Sequence, residues 1–159
     1  MRFLKPILVA LAIITTSASM AAETRMTVSH PEVAAPTYID HGASGQSIGD
    51  VRIWQFEAKA NDGTRVTTDW ILTTTGLVPD SGMEYRITSA VFSFGEGTSD
   101  QIVIQGVAQY PSAKATLDQS VPTRRAITGG TGKFAGVGGW MESTHNPNGG
   151  GWQHVLHLK

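Results

Sequence analysis

The chain has 159 residues, no cysteine and a formal net charge of −1. Without thiols there is no cysteine nucleophile, thiolate zinc site or iron–sulfur cluster. The balanced, scattered charge excludes a phosphate-tracking surface, so nucleic acid is not expected as a partner.

Met1 to about Ala21 reads as a secretory signal peptide. Arg2 and Lys5 form the positive leader, Pro6 to Ile14 the apolar core, and Ser19-Met20-Ala21 a small-residue cleavage site. The apolar run is shorter than the roughly 20 residues of a membrane span. The expectation is therefore an exported protein, periplasmic or secreted, with no membrane span in the mature chain. About 138 residues remain, the size of one domain and enough to bury a core without disulfides. A segment over residues 22–36 with a short first strand is expected to precede a barrel domain over residues 37–159.

Eighteen glycines and little helical periodicity predict an all-β chain. Met26 to His30 reads as a short strand and Tyr38 to Asp40 as an extended segment. Val51 to Ala60 reaches the turn Asn61-Asp62-Gly63, and Thr64 to Thr75 returns, largely β-branched. Glu84 to Phe94 and Gln101 to Tyr110 make a second hairpin around Gly95-Glu96-Gly97. A loop from Pro111 to Arg124 leads to a third pair, Val137 to Thr144 and Trp152 to Leu158. Regular hairpins of this kind imply a barrel or a sandwich.

Cross-strand partners share a face. In the first hairpin this reading sets Phe56 opposite Asp69, Trp54 opposite Ile71 and Arg52 opposite Thr73. In the second, Phe92 opposes Ile102, Ala90 opposes Ile104 and Arg86 opposes Ala108, with Glu84 and Thr88 on the same face.

Ala126 to Gly139, with its Gly129-Gly130-Thr131-Gly132-Lys133-Phe134, resembles the glycine-rich signature of the allene oxide cyclase barrel and the related dirigent proteins. Ser47-Ile48-Gly49-Asp50 and Phe94-Gly95-Glu96 followed by Ile102 to Gly106 resemble the same superfamily, in its order, from Thr37 to Leu158. The resemblance implies a closed eight-stranded antiparallel β-barrel with an apolar lumen, a homo-oligomer (a trimer), and lumen faces that are the two just described. Gly132-Lys133 is not a phosphate loop, because Ile127 and Phe134 stand where that motif needs a glycine and a Ser or Thr. Where the cyclases carry an asparagine, a cysteine and a tyrosine, this chain has Phe56, Thr73 and Ala108. Met26 to His30 contains no counterpart of their first-strand glutamate, and Ala135 and Gly138 stand where dirigent proteins have arginines. The resemblance thus carries the fold and not allene oxide cyclisation.

The expected catalytic group is Asp69, Arg52 and Arg86, and the expected ligand-binding wall is Trp54, Phe56, Ile71, Thr73, Glu84, Phe92 and Ala108. Buried charges must pair with one another or meet a ligand. The partner implied is a small hydrophobic molecule with a polar or anionic group. A second reading leaves Arg52 and Glu84 solvated at the barrel rim. His154 and His157, three apart, face opposite sides of a strand. His145 and His154 are expected as a surface pair, with no metal and no cofactor. Trp70, Trp140 and Trp152 read as wall or packing residues. Three functions remain open: a lumen that guides a cyclisation or isomerisation, a carrier, and a structural barrel filled by its own side chains.

Overall fold

Burial alternates residue by residue along strands such as Arg65–Leu77, so each strand turns one face inward and one outward. The computed structural model describes residues 23–111, 122–145 and 150–159. Nine strands follow in chain order: β1 (Thr24–His30), β2 (Thr37–Ile39), β3 (Val51–Ala60), β4 (Arg65–Leu77), β5 (Glu84–Phe94), β6 (Gln101–Tyr110), β7 (Thr123–Gly130), β8 (Gly139–His145) and β9 (Trp152–Leu158). The expected leader, most of the Pro111 to Arg124 loop and part of the last turn lie outside the described residues.

Every neighbour pair is antiparallel, and β1 pairs with both β9 and β3. That second pairing closes an eight-stranded barrel and leaves no open edge where it forms. β2 extends the same edge of β3 further along, pairing Thr37 with Ile53. Between β1 and β2, residues 31–36 run beside β3 as a strap, fastened where the Trp54 indole donates to the Ala34 carbonyl at 3.1 Å. Among the described residues no helix is long and apolar enough to cross a membrane.

One strand was absent from the sequence reading. Thr123–Gly130 pairs with β6 and β8, so a stretch read as loop and glycine signature is a full stave of the barrel. Its glycine end is steric in origin. A Cβ on Gly130 would lie 2.6 Å from the carbonyl oxygens of both Gln101 and Phe134, which only glycine avoids. The short 3-10 turn Gly132–Phe134 then carries the chain to β8.

The second hairpin has the expected register, with Phe92 opposite Ile102, Ala90 opposite Ile104 and Arg86 opposite Ala108. The first does not. Arg52 opposes Leu72, Trp54 opposes Trp70 and Phe56 opposes Thr68. The turn is a three-residue loop in which the Ala60 amide donates to the Thr64 carbonyl at 2.9 Å and Gly63 takes φ 91°. It is centred on Asp62, whereas the expected pairs need a centre half a residue later. A slip of one residue moves every side chain of β4 to the other face. Asp69, Ile71 and Thr73 therefore point outward, and Thr68, Trp70, Leu72 and Thr74 point in.

Candidate functional site

The barrel interior divides along its axis. Val66, Phe92, Ile102, Ile104, Met141 and Leu156 fill one half without solvent exposure. The other half is polar. Arg52 on β3 and Glu84 and Arg86 on β5 are at most 1 % exposed. Glu84 Oε1 accepts from Arg52 Nη2 at 3.0 Å and also pairs with Arg86 Nε. Arg52 Nη1 donates to Thr74 Oγ1 at 2.8 Å, and the Arg86 guanidinium lies 4.1 Å from the centre of the Tyr110 ring. Burial, and next the neighbouring Arg52 charge, weaken the hold of Arg86 on its proton. These groups are not at a solvated rim, so the second sequence reading is set aside for Arg52 and Glu84.

The loop before β3 caps this end. Asp50 is fully buried and accepts from the backbone amides of His41 and Ser47, both at 2.9 Å, and from the Tyr38 hydroxyl at 2.7 Å. Burial alone would raise its carboxyl, but these donors outweigh it and hold the group below its usual range. Gln46 reaches inward from the same loop to Glu84 Oε2 at 3.3 Å.

A third arginine comes from β7. Arg125 is 3 % exposed, donates from Nη2 to the Tyr110 hydroxyl at 2.9 Å and from Nη1 to Thr123 Oγ1 at 3.0 Å. Its Nε has no hydrogen-bond partner among the described residues, and neither does the indole nitrogen of Trp70. Both residues line a lumen cavity of about 70 Å³. Trp54, Phe56, Leu72 and Trp152 form its apolar wall, Val33 of the strap lies at one side, and Tyr110, His30 and His154 complete it. A groove of about 420 Å³ adjoins it between the strap and β3, sharing Val33, Trp54 and Phe56.

His154 stands where the two halves meet. Its ring lies 5.4 Å from Trp70, 5.6 Å edge-on from Phe92 and 5.1 Å from His30. Desolvation, then the charges of His30 and Arg125, pushes it well below the usual imidazole range. His30 is lowered too, chiefly by burial. Ser143 Oγ is 2.8 Å from His154 Nδ1, His154 Nε2 is 3.0 Å from His30 Nε2, and His30 Nδ1 is 2.7 Å from the Pro31 carbonyl. The surface pair expected from His145 and His154 does not form. His154 is buried with His30 because β1 closes the barrel against β9, while His145 pairs with Glu32 of the strap. His157 does face away from His154, stacked at 3.6 Å on Trp140. Among the described residues no three His, Cys, Asp or Glu side chains cluster as a metal site.

Of the expected site residues, only Trp54 and Phe56 line the cavity. Arg52, Arg86, Glu84 and Phe92 lie inside the barrel beyond it, and Ala108 is half-buried beside Arg86 across β5 and β6. Asp69 lies outside, accepting from Gln55 Nε2 at 2.7 Å, and Ile71 is 50 % exposed. Sequence reasoning missed Arg125, Tyr110 and His30 as cavity residues, while Trp70 and Trp152, read as wall or packing residues, do line it. The available signal for Arg125 was the Thr123 to Thr128 stretch, in which Thr123, Arg125 and Ile127 alternate with Arg124, Ala126 and Thr128.

Among solved structures the chain is similar to one described as a pyocyanin demethylase, with TM-score 0.57, 21% identity, and coverage of 87% of this chain and 100% of that one. It is also similar to a pterocarpan synthase dirigent protein, with TM-score 0.50, 14% identity, and coverage of 86% and 87% respectively. The fold is the allene oxide cyclase and dirigent barrel. No protein-family model matches the chain, and no curated protein matches it. At these identities the likeness carries the fold and leaves the chemistry to the lumen residues themselves.

Proposed function

We propose that this barrel binds a small planar hydrophobic molecule bearing an anionic oxygen, and guides its isomerisation or cyclisation inside the lumen. The observation that carries this reading is Arg125. It is a buried cation held by two neutral hydroxyls, with no carboxylate partner among the described residues, in a cavity walled by aromatic rings. A buried charge without a counter-charge is costly, and an anionic ligand removes that cost. Trp54, Phe56 and Trp152 offer flat apolar surface for the ring, and confinement of a flexible intermediate favours one geometry of reaction. The two similar structures are described as a pyocyanin demethylase and a pterocarpan synthase dirigent protein, and they support the barrel in which such a lumen is built.

The cavity of about 70 Å³ is smaller than the roughly 300 Å³ of an ordinary ligand site. A two-ring ligand therefore needs the adjoining groove of about 420 Å³ as well, which shares Val33, Trp54 and Phe56 with the cavity. The same small volume favours the second reading, a structural barrel plugged by its own side chains. Export rests on the leader over residues 1–21, and a trimer on the resemblance. Exposed Ile53, Ile71, Ile87 and Val107 on the outer wall supply apolar surface for such contacts.

Calorimetric titration of the mature protein with 2-naphthoate separates the readings. Binding is expected, with Arg125→Met raising Kd at least about tenfold, as for loss of a buried charge-assisted contact. Absence of binding, or equal binding by Arg125→Met, overturns the ligand reading in favour of the filled barrel.

A further inference from the structure

Most polar groups around the lumen cavity are already engaged with one another. The Trp54 indole donates to the Ala34 carbonyl, and both ring nitrogens of His30 and of His154 have partners. Arg125 spends Nη1 on Thr123 and Nη2 on Tyr110. Among the described residues, two buried side-chain polar atoms of the cavity lining have no hydrogen-bond partner: Trp70 Nε1 and Arg125 Nε. Both are N–H donors and neither accepts. The wall therefore asks its occupant for acceptors.

The rings packed on Trp70 supply no free acceptor. Phe56 stacks at 6.4 Å, Phe92 meets it edge-on at 5.6 Å, and the His154 ring lies at 5.4 Å with its nitrogens engaged elsewhere. A buried N–H left unpaired is costly, so such a site favours ligands that pair it over those that do not. The two donors also share one end of the available space. Both line the cavity of about 70 Å³, and neither lines the adjoining groove, which meets the cavity at Val33, Trp54 and Phe56. A cavity of roughly 150 Å³ is needed for one benzene ring, so this one takes a small polar head. The groove then holds the rest of the molecule, along Trp54 and Phe56.

We propose that Trp70 is a second recognition residue, and that the lumen selects an oxyanion with a neutral acceptor close beside it. α-Oxo and α-imino carboxylates and β-dicarbonyl enolates with an aromatic tail belong to this class. The inference rests on the lumen reading above and adds an orientation to it. The oxyanion faces Arg125 Nε, where a charge-assisted bond forms, and the neutral acceptor faces Trp70 Nε1. The head lies inward, and the aromatic tail lies in the groove. A simple aryl carboxylate satisfies the arginine and leaves the indole unpaired, so it binds as the weaker member of the class.

Calorimetric titration with 2-naphthoate and analogues in which a nitrogen replaces one ring CH tests the selection. Quinoline-2-carboxylate and isoquinoline-3-carboxylate set that nitrogen next to the acid-bearing carbon. Quinoline-6-carboxylate and isoquinoline-6-carboxylate set it in the far ring. Size and charge are shared at neutral pH, so the ratios of Kd read the added acceptor. At least one near isomer is expected to bind about tenfold tighter than 2-naphthoate, as for one buried donor satisfied, and the far isomers no tighter. Trp70→Phe is expected to abolish that preference. A crystal structure of wild-type protein with the favoured isomer needs no variant, and should place its ring nitrogen within about 3.2 Å of Trp70 Nε1. A missing preference, a preference for the far isomers, one that survives Trp70→Phe, or a ring nitrogen placed elsewhere overturns the role of Trp70. If 2-naphthoate still binds in an Arg125-dependent manner, the lumen reading stands without it. If none of the probes binds, both readings fall.

Discussion

The two halves of the barrel interior are built by the same strands and differ in what those strands carry. β5 runs from Glu84, Arg86 and Thr88 at one end to Ala90, Phe92 and Phe94 at the other, all buried on one face. β9 likewise passes from Trp152 and His154 to Leu156 and Leu158. In the apolar half, aliphatic and aromatic side chains close the lumen by packing, and each contributes through burial alone. In the polar half, two arginines share Glu84 and Asp50 collects three donors, while Arg125 is held by two neutral hydroxyls. The difference teaches that strand alternation decides which residues enter a barrel, while their order along each strand decides where it is inert and where it can react.

The largest test of this contrast removes one buried group from each half. Glu84→Gln takes away the carboxylate that Arg52 and Arg86 share and is expected to cost about 4 kcal/mol in urea unfolding. Leu156→Ala in the apolar half is expected to cost about 3 kcal/mol. The reverse ranking would mean that the ion cluster contributes less than the packing opposite it.

The next effect is a response to pH. His30 and His154 have imidazoles lowered by burial, so the unfolded chain binds their protons more readily. The sign follows: their contribution is complete above about pH 6.5 and is lost as pH falls, by up to about 1.4 kcal/mol per pH unit for each group. Glu23 and Glu32, also lowered, act in the same direction only near and below the usual glutamate value of 4.5. Urea midpoints at about pH 7.5 and 5.5 measure the loss. His154→Gln should flatten the slope, and an unaltered slope would place the buried neutral imidazole in doubt. The smallest effect belongs to the outer wall. Asp69→Asn should change stability by no more than about 0.5 kcal/mol and leave 2-naphthoate binding as it was. A larger change would mean that β4 is paired as the sequence reading had it.

Much of the frame was legible in the chain. The bounds of β3, β5 and β6 follow from alternation and turn residues, and the centre of the second hairpin at Gly97 gave its register correctly. In the first hairpin, half a residue in the placing of the turn centre sent Asp69, Ile71 and Thr73 to the wrong face. β4 offered no correction, because Ile71 and Thr73 are as suited to a lumen as Trp70 and Leu72. A strand with apolar residues on both faces does not declare which is inside. The third lumen arginine was hidden differently, by glycines that read as a corner and mask the strand before them.

The sequence by itself determined an all-β chain, its main hairpins and a set of charged residues on strand faces that a closed barrel must bury. Only the tertiary structure decided that β1 closes against both β3 and β9, which brings His30 to His154 across 124 positions of chain. The physical reason is that hairpins are local, whereas barrel closure joins residues whose pairing no turn between them specifies.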